Sequence, residues 1–185
     1  MQEPTADEEV VSATVPDWGR ERPRGFWDPS RRLITSFRRY QALRDGPRWI
    51  RWARRVFSIE HAFWAVVTGA DLSLHTRAGG GLLMPHPNGV VINPNTVIGP
   101  NCLLFQQVTL GQGGSKPGAP VLGGHVDVGT GAKILGGVTI GDHAKIGANA
   151  VVLQDVPPGA TAVGIPARII PARPPRPVGP GGSSA

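Results

Sequence analysis

The side chains best suited to moving protons in this 185-residue chain are five histidines, His61, His75, His86, His125 and His143. His86 stands apart. It lies in the run Pro85-His86-Pro87-Asn88-Gly89, where a proline on either side restricts the backbone. A histidine that takes a proton from a hydroxyl needs one accessible ring nitrogen. A carboxylate on the other nitrogen sets the tautomer and stabilises the imidazolium. Asp71, fifteen residues earlier, is the candidate carboxylate. If the chain coils with a period near eighteen residues, Asp71 lies about one coil below His86.

The remaining histidines read differently. His61 falls on a predicted helix and reads as structural or solvated. His125 and His143 each come three places after an inward-facing residue, at an exposed corner, and His75 has no clear role. No two histidines have compact ligand spacing, and a single cysteine adds nothing to a zinc set, so no metal site is expected. Cys102 occupies an inward small-residue slot and reads as packing rather than as a nucleophile.

The element that must position these groups is the stretch from Ile92 to Val152. Ile92, Ile98, Leu104, Leu110, Leu122, Val128, Ile134, Ile140, Ile146 and Val152 recur in steps of six or twelve residues. Four places after these positions comes a small or β-branched residue, as at Thr96, Cys102, Val108, Val126, Ala132, Val138, Ala144 and Ala150. A period of six fits neither a helix nor one long strand. It fits a solenoid in which each hexapeptide forms one short strand and a turn. Two irregularities break the repeat. Eight residues, not six, separate Met84 from Ile92, so the backbone must bulge and push His86 outward. Gln112 to Val121 is too long for a corner and should protrude as a loop. Such interruptions are where function is most often placed.

Before the repeat, Asp28-Pro29-Ser30 offers helix-start chemistry, followed by Leu33, Phe37, Tyr40 and Leu43 at helical spacing. Asp45-Gly46-Pro47 ends that helix. A second is predicted from about Pro47 to Val67, with an apolar stripe of Trp49, Trp52, Val56, Ile59, Phe63, Val66 and Val67. The expectation is that this stripe packs against the first helix and the solenoid end, as a cap over the open core. The chain therefore divides into an irregular or disordered tail over 1–27, a helical cap over 28–68, the solenoid over 69–170, and a disordered Pro/Gly/Arg-rich tail over 171–185.

Charge and composition narrow the function. The net charge is +6, and twelve of the 19 basic residues are Arg between Arg20 and Arg55. No nucleic-acid motif or array of stacking aromatics accompanies them. They read as a solvated helical face, with neither a nucleic-acid nor a membrane partner expected. No apolar run approaches the ~20 residues that span a bilayer. The acidic start lacks signal-peptide features, and one Cys suits a reducing cytoplasm.

The run ADLSLHTRAGGGLLMPHPNGVVINPNTVIGPNCLLFQQVTLG, followed by KILGGVTIGDHAKIGANAVVLQDVPPGATAVGIPARII, resembles the catalytic half of the serine O-acetyltransferases, a family of hexapeptide-repeat acyltransferases. The resemblance covers about residues 65–170. It implies a mainly β fold, a left-handed parallel β-helix preceded here by a short two-helix α cap. It also implies acetyl-CoA as co-substrate and a homotrimer with active sites between subunits. Carried over by position, the family's general base falls on His86 and its orienting carboxylate on Asp71. Acetyl-CoA contacts fall on Gly111, Thr130, Lys145 and Ala148. The implied reaction is direct transfer of the acetyl group to the hydroxyl of L-serine, giving O-acetyl-L-serine for cysteine biosynthesis.

Three departures bear on the acceptor. The family usually has Asp immediately before the base, where this chain has Pro85. It usually reads Arg-His-Pro after the loop, where this chain has Gly118-Ala119-Pro120. The helical part, which in the family contributes to serine binding and hexamer formation, is much shorter here. The alternatives are therefore a sugar or polysaccharide hydroxyl as acceptor, or a non-catalytic scaffold, which retention of His86 and Asp71 opposes. The ending Gly-Gly-Ser-Ser-Ala replaces the terminal Ile with which typical members dock on cysteine synthase, so that complex is not expected.

Overall fold

The computed structural model describes residues 11–43, 46 and 51–172 of the chain. The expected terminal tails thus lie in part, over 1–10 and 173–185, outside the described residues, as do Trp49 and the predicted start of the second helix at Pro47.

Two helices precede a parallel β-solenoid. Helix α1 spans Pro29–Ala42 and starts as the sequence predicts, with proline in its first turn and the Asp28 carboxylate capping the Arg31 N–H. Such a cap satisfies one of the donors orphaned at every helix start. Leu33, Ile34 and Phe37 are fully buried. Helix α2 spans Arg51–Thr68.

The solenoid has three faces of two- or three-residue strands. The first stacks Asp71–Leu72, Val91–Ile92, Thr109–Gly111, Lys133–Leu135 and Val151–Val152. The second stacks Arg77–Ala78, Val97–Ile98, Val121–Leu122 and Thr139–Ile140. The third stacks Leu103–Leu104, Asp127–Val128, Lys145–Ile146 and Thr161–Val163, closed by the antiparallel strand Arg168–Ile170. On the first face Asp71 pairs Val91, Val91 pairs Thr109, Thr109 pairs Lys133 and Lys133 pairs Val151. The coil offsets are therefore 20, 18, 24 and 18 residues. The two surplus residues of the first are the His86 bulge, and the six of the third are the protruding loop.

All ten aliphatic repeat residues are buried, at no more than 3% exposure, and the eight small residues four places on are equally buried. Each buried aliphatic side chain contributes roughly 1.5–3 kcal/mol, which gives a thin solenoid its core. The first coil, expected from about residue 69 but less regular in sequence, carries the same phase through Leu72, Ala78 and Met84. Cys102 packs inside, its thiol pushed up to about 11 by burial, as expected of an inert cysteine.

Two expectations are sharpened and one needs amendment. The stretch 11–27, expected to be irregular or disordered, is irregular apart from the short 3-10 turn Trp18–Glu21 and is tied to the solenoid. Asn101 accepts the Asp17 N–H at 2.8 Å and donates to the Ser12 and Val15 carbonyls at 2.7 and 2.8 Å. The segment lies so close to a corner that a Cβ on Gly124 would sit 1.7 Å from the Ala13 carbonyl oxygen. His61 is structural, not solvated: its Nε2–H donates to the Leu72 carbonyl at 2.7 Å, and Nδ1 lies 3.1 Å from the Ser36 hydroxyl. Finally, the apolar stripe of α2 is not packed inward. Trp52, Val56, Ile59, Phe63, Val66 and Val67 are all exposed, because the face turned toward α1 and the solenoid carries His61, Trp64, Ala65 and Thr68 instead.

The burial of His61 has a consequence for pH. Burial lowers its pKa, against smaller opposing effects of the Leu72 and Leu33 backbone. An unfolded histidine takes up its proton near pH ~6.5, before the folded one. The contribution to stability is present above that pH and is lost as pH falls toward the lower folded value. His125, also lowered by burial, acts in the same direction. Urea unfolding from pH 7.5 down to pH 5.5 should show falling stability with a shallower slope in His61→Gln. Equal slopes would remove His61 from the account.

Candidate functional site

His86 is held in place by the geometry of one corner. Between the third and first faces, each coil turns through a left-handed residue: Gly69, Gly89, Gln107, Gly131 and Asn149 all have positive φ. Backbone hydrogen bonds stack these turns: Gly89 N–H to Gly69 O at 2.8 Å, Gln107 N–H to Asn88 O at 2.9 Å, Gly131 N–H to Gln106 O at 2.9 Å and Asn149 N–H to Thr130 O at 2.8 Å. The Pro85–Gly89 bulge belongs to this stack. It therefore projects His86 into solvent from a fixed backbone, and the ring is exposed.

Around His86 the chain forms an open concavity of about 380 Å³ lined by Trp27, Asp28, Pro29, Ser30, Thr68, Pro85, Pro87 and Asn88. The N-terminal segment supplies one wall. The Ser30 hydroxyl donates to the Met84 carbonyl and ties the start of α1 to the bulge. The sequence marks Asp28 only as a helix start, yet Asp28 lines the same concavity as His86. Burial pushes its pKa up, but hydrogen bonds from the Arg24 and Arg31 N–H groups and the Arg31 charge outweigh that and lower it. It is thus a fixed anion at neutral pH. The sequence signal was its position ahead of Pro29, which identified a cap and not a site.

Asp71 opens the first face, one coil below Val91. Its side chain is exposed and lines a second concavity of about 390 Å³ together with Ser73, Asn93, Leu110 and Gly111. Asp71 and His86 share no hydrogen bond among the described residues. Asp71 and Gly111, two strands apart on the first face, line one concavity, and Thr130 and Ala148 lie at the corner stack, on coils above that of His86. Lys145 is set apart on the third face, beside Asp127 and Thr161. The protruding loop folds back over the surface: Gly136 N–H donates to Gly111 O at 3.0 Å, Gly137 N–H to Lys116 O at 3.1 Å, and the Lys116 ammonium meets Asp155 at 2.6 Å. Gly111 is thereby pinned at the base of the loop.

His125 and His143 stack at a different corner, Nδ1 to Nδ1 at 2.9 Å. Both have positive φ, a conformation histidine tolerates better than most residues. Among the described residues no three His, Cys, Asp or Glu side chains gather as a ligand set.

Chemically, the His86 corner presents an accessible imidazole, a fixed carboxylate and an open approach. That arrangement suits proton abstraction from a small hydroxylic acceptor carrying a positive group.

Comparison with known proteins gives this geometry a context. The family model described as bacterial transferase hexapeptide (six repeats) matches residues 119–154. The chain is 45% identical over 107 residues to a serine acetyltransferase of Synechococcus elongatus, covering 57% of this chain and 44% of that one. Among solved structures it is similar to soybean serine acetyltransferase complexed with serine, at TM-score 0.63 and 39% identity, covering 75% of this chain and 56% of that one. It is also similar to a serine acetyltransferase in complex with CoA, at TM-score 0.65 and 34% identity, covering 78% of this chain and 58% of that one. The chain spans about half the length of these relatives.

Proposed function

We propose that the chain is a member of the hexapeptide-repeat serine O-acetyltransferases, to which it is similar over its solenoid, and that it transfers the acetyl group of acetyl-CoA to the hydroxyl of L-serine, in the cytoplasm. His86 is the general base. It removes the hydroxyl proton as the oxygen attacks the thioester carbonyl, and CoA leaves as the thiol. Asp71 orients the ring and stabilises the imidazolium as the base charges. Backbone N–H groups receive the oxyanion, and no acyl-enzyme forms, consistent with a buried Cys102 whose thiol is held protonated.

The observation that carries this reading is His86 itself: exposed on a bulge whose backbone is fixed by two prolines and the corner stack, and lining one concavity with Asp28. Asp28 would receive the serine ammonium. Acetyl-CoA would run along the groove between subunits of a homotrimer, against Gly111, Thr130, Lys145 and Ala148. The hydrogen bond between Asp71 and His86 would then close only in the loaded site, as catalytic hydrogen bonds often do.

One observation favours a second acceptor class. Gly118 and Ala119, where the family has Arg and His for the amino-acid carboxylate, offer no cation there. A sugar hydroxyl needs none. Free-thiol release from acetyl-CoA should be followed with L-serine, homoserine and a panel of monosaccharides. Serine-dependent release is the expected result. Turnover with sugars alone would overturn serine as the acceptor, and silence on every acceptor would overturn the acyltransferase reading.

A further inference from the structure

The exposed face of α2 is apolar along its whole length. Trp52, Val56, Ile59, Ala62, Phe63, Val66 and Val67 are exposed, with Val66 at 84%, Trp52 at 69% and Ile59 at 64%, and Arg55 is the one charged residue among them. At 3.6 residues per turn these positions cover roughly 140° of the helix, broader than the narrow seam of a two-helix coiled coil. The patch continues past the helix. Trp27, 65% exposed, packs edge-on against Trp64 at 5.8 Å, Trp64 meets Phe63 at 5.0 Å, and the neighbouring Phe26 is 90% exposed. An apolar face of this extent, rimmed by polar residues, is an interaction surface.

Charge decides which kind. Residues 29–68 hold nine of the 19 basic residues, all Arg, and two of the 13 acidic ones, so the remainder of the chain is near neutral. A second copy laid on this face would bring two such cationic hairpins together. Among the described residues of this face, a nucleic acid would meet one Arg in eight exposed side chains. An anionic phospholipid surface satisfies both properties, because it accepts an apolar, Trp-bearing helix face and attracts a segment of net positive charge. At the Trp52 end, an open concavity of about 600 Å³ is lined by Tyr40, Trp52 and Arg55 among others, and the exposed Arg55 guanidinium suits a lipid phosphate. No helix among the described residues is long and apolar enough to cross a membrane, so the mode is lying on the surface.

We infer that the α2 face docks this protein on anionic phospholipid bilayers. The sequence reads the Arg cluster as a solvated face and the apolar stripe as packed inward; with the stripe exposed, Arg55 lies on it, while Arg31, Arg38 and Arg39 are engaged with Asp28, Glu21 and Glu60 and contribute through the net charge of the segment. Trp27 belongs to both the patch and the His86 concavity, so docking would hold that concavity beside the headgroup layer.

The test is co-sedimentation of the full chain with phosphatidylcholine vesicles with and without phosphatidylglycerol. Binding is expected only with the anionic lipid, weakening as salt rises. It should fall by about tenfold or more in Ile59→Glu/Phe63→Glu, a pair that is exposed and outside the proposed acyltransfer site. Circular dichroism and free-thiol release in solution report whether that variant remains folded. Equal binding of variant and parent, or equal binding to neutral and anionic vesicles, would overturn the inference. So would absence of binding together with an oligomer mass that falls in the variant, which would assign the face to a second copy.

Discussion

His86→Ala is expected to lower kcat for acetyl transfer by about 10²–10⁴, the range general-base catalysis usually supplies. KM for acetyl-CoA should change little, because the proposed CoA contacts lie away from the imidazole, and the Gly111 and Thr130 backbones are held by their own hydrogen bonds. Loss in kcat without loss in KM is the mark of an interaction made in the transition state. Two features keep the experiment clean. His86 is exposed and makes no hydrogen bond among the described residues, so truncation should not disturb folding. His125, at another corner, serves as a comparison whose replacement by Ala should leave kcat nearly intact. Asp71→Asn should cost less than His86→Ala, since in the proposed mechanism Asp71 acts through His86. Should His86→Ala retain activity within about tenfold of the parent, the imidazole is not the base and the acceptor proton leaves another way.

The solenoid was legible because its constraint is local and periodic. A three-faced coil needs an inward aliphatic side chain every sixth residue and a small one beside it, so Ile92 to Val152 announces itself. The first coil was harder to read because Ala78 stands where a larger aliphatic would have marked the phase. The bulge at His86 and the loop at Gln112 were legible as errors in an otherwise regular count. What lay beyond reach were contacts made across long separations by polar atoms. Nothing periodic connects Asn101 to Ser12, or Ser30 to Met84, yet these bonds bring Asp28 to His86. The apolar stripe of α2 was correctly seen, but periodicity says only that a helix has two faces. His61 settled which one turned inward. With its Nε2–H on the Leu72 carbonyl and Nδ1 on Ser36, this polar residue, and not the Trp52–Val66 stripe, anchors α2 to α1 and the first coil.

The same polar wiring makes Glu21 the most sensitive point for stability. Its carboxylate is 7% exposed and accepts from Arg38 at 2.8 and 3.0 Å and from the Leu82 N–H at 2.9 Å. Arg38 reaches on to the Ala78 and Gly79 carbonyls and lies over the Trp18 and Phe37 rings. One ion pair thus joins the N-terminal strap, α1 and the first solenoid coil. Glu21→Ala would leave a largely buried guanidinium without its counter-charge and the buried Leu82 N–H without an acceptor, an expected loss of about 3–5 kcal/mol. Glu21→Gln keeps the shape and most of the hydrogen bonds and should lose less. Glu60→Ala breaks the more exposed Arg39–Glu60 pair and should cost no more than about 1 kcal/mol. Urea unfolding of the three variants measures the order. Because the strap leads directly into Trp27 and Asp28, Glu21→Ala should also raise KM for the acceptor more than for acetyl-CoA. If Glu21→Ala instead matches Glu60→Ala in stability, the strap is not fastened through this pair. The wall it lends to the His86 concavity must then be held by the Asn101 and Ser30 contacts alone.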